Sequence, residues 1–111
     1  MRLFTKHYSK CLIMMNSKQT LNLLGLAKRA GKIIDGEGRV LASFQSQKPL
    51  LIFLASDAGA NIQKKIQDKA AYYQVPLITD FTTDELSKAI GKNNRKVLAL
   101  NEASFIKQIM R

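Results

Sequence analysis

Three short segments of the sequence carry side chains from which surface chemistry could be built. Asp35-Gly36-Glu37-Gly38-Arg39 sets charged residues around two glycines, which let a backbone approach a phosphate or an unstacked base closely. Ser56-Asp57-Ala58-Gly59-Ala60-Asn61 leads into Lys64 and Lys65, and Asp57 could orient its own loop or accept from a base amino group. Gly91-Lys92-Asn93-Asn94-Arg95-Lys96 puts three cations and two amides into six residues. In such a loop Lys and Arg can hold phosphates while Asn reads base edges. Each segment also has a plain structural reading: a tight turn, an N-cap region with solvated lysines, and a solvated charged loop. A further basic group, Lys28, Arg29 and Lys32, falls at the end of the first helical stretch.

Other chemistries lack the residues they need. The only His is His7 and the only Cys is Cys11, so the main body has no material for a thiolate or imidazole metal site or for a Ser-His-Asp or Cys-His arrangement. Gly36-Glu37-Gly38 lacks the remaining glycine of a dinucleotide fingerprint, and no Gly-Lys-Ser/Thr phosphate loop is present. We therefore expect no enzyme, no cofactor and no metal. One Cys makes no intramolecular disulfide, which agrees with a reducing cytoplasm. Eighteen Lys plus Arg against eight Asp plus Glu give a formal charge of +10. An excess of this size implies a polyanionic partner, and nucleic acid fits best because each neutralised phosphate releases counterion. No Tyr/Phe pair sits on alternate residues of a strand, so a stacking sheet is not expected, and Tyr72 and Tyr73 read as packing residues.

These segments must be positioned by a small fold. With 111 residues, 46% of them hydrophobic, the chain suffices for one core. Ser17 reads as an N-cap, and Leu21, Leu23, Leu24, Leu26 and Ala27 mark the buried stripe of a helix that ends near Ala30. Lys32 to Asp35 reads as a short strand. Gly36 turns the chain into a helix with Val40, Leu41 and Phe44 inward, stopping before Lys48-Pro49. Pro49 to Ala55 is apolar almost throughout, as in a central strand covered on both faces. A third helix is predicted from Asn61 to Tyr73, with Ile62, Ile66 and Ala70 inward. Val75 to Ile78 reads as a strand whose Pro76 suggests an edge or a first strand position. A helix from Thr83 to Ile90, a strand from Val97 to Leu100 and a helix from Glu102 to Met110 complete the chain. Alternation of this kind predicts an α/β fold, a three-layer α/β/α sandwich with about four strands in a mixed sheet.

Residues 1–14 read differently. Their apolar cluster is shorter than the core of a secretory signal, no small-residue cleavage site follows, and no apolar run in the chain could span a bilayer. We expect an N-terminal extension or upstream start at 1–14 and a single domain at 15–111. Losing the first segment removes Arg2, Lys6 and Lys10 and no acid, so the cationic excess survives.

From about Ser17 to its end the chain resembles the kink-turn-binding ribosomal protein family, the "L-seven-Ae" group, most closely its small bacterial YlxQ-type branch. The resemblance is carried by Leu24-Gly25-Leu26-Ala27-Lys28-Arg29-Ala30-Gly31-Lys32 with Gly36-Glu37, by Leu54-Ala55-Ser56-Asp57-Ala58, and by Val75-Pro76 with Glu85-Leu86 through Ala89-Ile90-Gly91-Lys92. It implies the same three-layer α/β/α fold and binding to kink-turns or similar bent RNA elements; beside it we expect a cytoplasmic monomer in a ribonucleoprotein, bound to structured RNA of kink-turn or ribosomal type. It also implies a grip by Gly36 to Arg39, by Asp57 and its neighbours, and by Lys92 to Lys96. The candidate RNA-binding residues are thus Lys28, Lys32, Gly36, Glu37, Gly38, Arg39, Asp57, Lys64, Lys65, Lys92, Asn93, Asn94, Arg95 and Lys96. The family's base-reading motif, Gly-x-Asn-Glu-x-x-Lys, falls here on Gly36-Glu37-Gly38-Arg39-Val40-Leu41-Ala42, and only the Gly is kept. The last loop, hydrophobic in archaeal members, is polar here. Phosphate-dominated binding is therefore the expectation. The alternative is a ribosome-associated protein-interaction adaptor without kink-turn specificity.

Overall fold

The computed structural model describes residues 16–46 and 50–110, so the expected extension at 1–14, His7 and Cys11 lie outside the described residues. The first helix, α1 (Ser17–Arg29), starts one residue earlier than the Ser17 cap implied. Asn16 is the cap: its side chain accepts from the Gln19 N–H at 2.8 Å, and the Gln19 side chain accepts from the Asn16 N–H at 3.3 Å. This reciprocal pair satisfies two donors that a helix start leaves open. Leu23, Leu24 and Ala27 are buried, whereas Leu26, expected on the same stripe, is 51% exposed. At 100° per residue it falls about 60° beyond Leu23, outside the buried arc.

Strand β1 (Ile33–Asp35) leads through Gly36 into helix α2 (Glu37–Ser43), followed by a 3-10 turn at Phe44–Ser46. Strand β2 (Leu51–Leu54) is buried at every position, and helix α3 (Ala60–Tyr73) covers it with Ile66 and Ala70 fully inward. Strand β3 (Leu77–Ile78), helix α4 (Thr83–Ala89), strand β4 (Val97–Leu100) and helix α5 (Ala103–Ile109) follow. A second reciprocal cap starts α4, where the Glu85 carboxylate accepts from the Thr82 N–H at 2.9 Å and the Thr82 hydroxyl accepts from the Glu85 N–H at 3.2 Å.

The sheet runs β1-β4-β2-β3, with β4 antiparallel to both its neighbours and β3 parallel to β2. The apolar run of β2 is thus an interior strand, and the Pro-led β3 is an edge. Helices α1, α4 and α5 pack together on one face, and α2 and α3 pack together on the other, completing the α/β/α sandwich. Between α1 and α4 the approach is close, since a Cβ on Gly25 would meet the Ala89 carbonyl oxygen at 3.0 Å. Among the described residues no helix is long and apolar enough to cross a membrane.

Tyr73 stacks on Phe44 with centroids 5.8 Å apart; Tyr72, about 100° further round the helix, packs edge-on against Tyr73 at 4.9 Å but stays outside the core, 79% exposed.

Candidate nucleic-acid interface

Strand register decides which segments meet. Asp35 lies opposite Leu98 and Leu54 opposite Val97, so β1 and β2 end where β4 begins. At that end the Gly36 N–H reaches the Val97 carbonyl at 3.4 Å, and the Ala55 N–H donates to the Lys96 carbonyl at 2.8 Å. The segments 35–39, 56–61 and 91–96, distant in sequence, therefore share one end of the sheet.

Side chains tie them further. Lys65 on α3 reaches Glu37 in the first turn of α2 at 3.2 Å, next in sequence to exposed Gly38 and Arg39. Arg95 donates from Nε to Asp35 Oδ2 at 2.8 Å, linking the loop before β4 to the end of β1. Lys65 and Arg95 are thus each tied to the turn that starts α2, through Glu37 and Asp35. Gly36 makes the turn at φ +93°, ψ 141°, a conformation open essentially to glycine alone. Here the glycine is required by the backbone whatever approaches it.

Asp57 is committed to the fold. Its Oδ1 accepts from the Thr83 hydroxyl at 2.7 Å and from the Thr83 N–H at 2.9 Å, fastening the loop after β2 to the start of α4. Those bonds hold its carboxyl below the ordinary value of 3.8, the side-chain bond being the largest cause. Burial acts to raise the Asp35 carboxyl, but the Arg95 hydrogen bond together with the charges of Lys28 and Arg95 brings it below 3.8.

The loop itself is internally braced. The Ser87 hydroxyl accepts from the Arg95 N–H at 2.8 Å, the Lys92 N–H donates to the Ser87 carbonyl at 2.9 Å, and Lys96 Nζ donates to Asn94 Oδ1 at 2.9 Å. Lys92, Asn93 and Asn94 are exposed. On α3, Lys64 is exposed and pairs with Asp68 at 3.4 Å. Such surface pairs are weak, of order 0.2–1 kcal/mol, and leave the cation available to a polyanion.

Lys32 does not join the other candidates. Its carbonyl accepts from the Asn101 N–H at 3.1 Å and its Nζ lies 3.6 Å from Glu102 Oε1, both beyond the opposite end of β1 and β4. Three strand residues carry the chain about 10 Å, enough to remove Lys32 from the loops at the other end of β1. Ser87 carries no signal in the sequence, whereas Asp35, part of the first candidate segment but not among the candidate RNA-binding residues, does: two residues after Ile33 on a strand it must share the buried face, and a carboxylate there needs a partner.

The fold and this end of the sheet define a class: a small α/β/α protein with one elaborated, basic loop end and, among the described residues, no cluster of His, Cys, Asp or Glu able to hold a metal. The chain belongs to the Ribosomal protein L7Ae/L30e/S12e/Gadd45 family, whose sequence profile matches residues 18–109. That family is not one of enzymes. An RNA-binding protein YlxQ of Enterococcus faecium is 41% identical over 93 residues, covering 84% of this chain and 89% of that protein. An RNA-binding protein YlxQ of Bacillus subtilis (strain 168) is 34% identical over 96 residues, covering 86% of this chain and 96% of that one. A solved structure of a protein with unknown function from Bacillus halodurans superposes with a TM-score of 0.77 at 38% identity, covering 81% of this chain and 91% of that chain. The Giardia lamblia 15.5kD RNA binding protein superposes at 0.71 with 18% identity, covering 84% of this chain and 86% of that one, a likeness of fold.

Proposed function

We propose that the chain binds structured RNA, a kink-turn or a ribosomal-type element, through the loop end of the sheet, as a cytoplasmic monomer formed by the single domain 15–111. The observation that carries this is the convergence of segments 35–39, 56–61 and 91–96, which sets exposed Arg39, Lys64 and Lys92, with half-exposed Lys96, around one region. Family membership and two relatives bearing an RNA-binding name support the same reading.

Phosphate contacts dominate the binding, because the matched base-reading positions hold Gly38, Arg39 and Ala42. Neither Gly38 nor Arg39 has a side-chain acceptor to read the edge of a G·A pair. A salt titration comparing a kink-turn hairpin with a plain duplex tests this. Equal affinities and slopes are expected, and marked preference for the kink-turn would show that base reading survives without the motif. A Cβ on Gly38 would meet nothing within 4 Å, so the site tolerates a larger residue. Gly38→Asn with Arg39→Glu and Ala42→Lys should accordingly raise kink-turn preference.

A second reading, a ribosome-associated adaptor, is favoured by one observation, the 79% exposed Tyr72 ring on α3. Copurifying RNA that is lost on nuclease treatment and falls off along a salt series supports direct RNA binding and opposes the adaptor.

A further inference from the structure

Asp35 poses a physical problem for an RNA-binding surface. Its side chain is only 9% exposed, it stands at the end of an edge strand, and it puts negative charge in the middle of the region a polyanion would approach. A buried carboxylate is costly unless it is paired, and this one also repels phosphate. Its geometry supplies the counterweight. Arg95 meets it through Nε at 2.8 Å while Nη1 of the same guanidinium donates to the Asn93 carbonyl at 3.2 Å. The Arg95 backbone is held on both sides by Ser87, whose hydroxyl accepts from the N–H at 2.8 Å and donates to the carbonyl at 3.4 Å.

Beyond the Ser87 bonds and the Lys96–Asn94 contact, the loop has, among the described residues, one side-chain anchor to the sheet, the Asp35–Arg95 pair. Gly91 at φ +70° and Asn94 at φ +52° take left-handed conformations, which are uncommon for a residue other than glycine. Within this loop Lys92, Asn93 and Asn94 face solvent, and only Arg95 reaches inward to an acid. Ordering a free loop on RNA costs backbone entropy for each residue fixed, and a loop braced beforehand incurs that cost on folding instead.

We infer that Asp35 is a positioning residue: it draws Arg95 inward as an internal strut, so that Lys92, Asn93, Asn94 and Lys96 meet RNA in one preset arrangement, while Arg95 is not itself a phosphate contact. The inference rests on the RNA-binding reading above and reassigns one member of its site. It makes a prediction whose sign opposes simple electrostatics. Removing the Asp35 charge raises the net positive charge, so charge counting requires tighter RNA binding, whereas loss of the strut requires weaker binding.

The test uses the full chain with Asp35→Ala, Arg95→Lys and the double variant. Binding is measured to a kink-turn hairpin and a plain duplex, with amide hydrogen exchange followed without RNA. In Asp35→Ala, amides 92–96 should exchange faster while those of β2 and β4 stay protected, and affinity should fall about tenfold, as loss of a charge-assisted hydrogen bond implies. Arg95→Lys keeps the charge but cannot span both partners, so it should fall comparably, and the double variant should fall no further. Wild-type or tighter binding by Asp35→Ala overturns the inference, as does a double variant whose loss is the product of the two singles. Should Asp35→Ala not fold, Arg95→Lys decides alone, and unchanged affinity and exchange in it refute the strut. If the wild-type chain binds neither RNA, the RNA-binding reading falls, while the exchange data still decide whether Asp35 orders the loop.

Discussion

The two ends of the sheet use the same residue types to different effect. Where β1 and β2 finish and β4 begins, Asp35–Arg95 joins two loops, Glu37–Lys65 ties α2 to α3 and Asp57–Thr83 ties the loop after β2 to α4, while Lys92 and Arg39 stand exposed. Beyond the other end, Lys32 meets Glu102 in one loose pair at 3.6 Å, and the Asn101 N–H closes the chain onto the Lys32 carbonyl. Arg95 and Lys32 flank the same sheet, yet Arg95 meets Asp35 at one end while Lys32 meets Glu102 at the other. A surplus of cations therefore marks a partner class, and placement by the strands decides which cations can serve it.

The largest expected effect separates the two ends directly. Replacing Lys92 and Lys96 by Ala should lower the slope of log affinity against log salt by up to about 0.9 for each duplex phosphate that is no longer neutralised. If the slope does not move, the interface lies elsewhere and the contrast between the ends collapses. Gly36→Val should come next. Its φ of +93° strains any side chain, and a cost of about 1–3 kcal/mol is expected in urea unfolding, together with weaker RNA binding. Wild-type stability and affinity would remove that turn from the site.

A smaller effect tests the stitching. Because the Asp57 carboxyl titrates below 3.8, its contribution to stability is complete above that value and fades as pH falls through the lower folded value. Asp57→Asn should therefore melt below wild type near neutral pH, and the two melting temperatures should converge in strong acid. A gap that persists in acid would mean that the charge of Asp57 is not what fastens α4. Lys32→Ala should be the mildest change, costing about 0.2–1 kcal/mol or less in stability and leaving the RNA salt slope as it was. A reduced slope in this variant would extend the interface to both ends of the sheet.

Much of this architecture is legible in residue order. The apolar run Leu50-Leu51-Ile52-Phe53-Leu54 can only be an interior strand, because no solvent-facing position interrupts it, and Pro76 before Leu77 suits an edge. Helix faces were less sharply readable. Leu26 and Tyr72 are apolar enough for a core and sit beside true core residues, but the 3.6-residue turn carries both off the buried arc. The three candidate loops could be picked out from their composition. That Arg95 and Asp57 bond to other side chains of the same chain could not, since each partner lies far away in sequence, at Asp35 and Thr83.

Local sequence thus determined the elements, the sandwich and the class of partner, because periodicity, capping and net charge are properties of neighbouring residues or of plain composition. Tertiary structure alone decided which charges act together. Register brings Asp35, Val97 and Ala55 to one end and sends Lys32 to the other, and Coulomb interactions and hydrogen bonds depend on distance in space, which strand pairing sets and the order of residues does not.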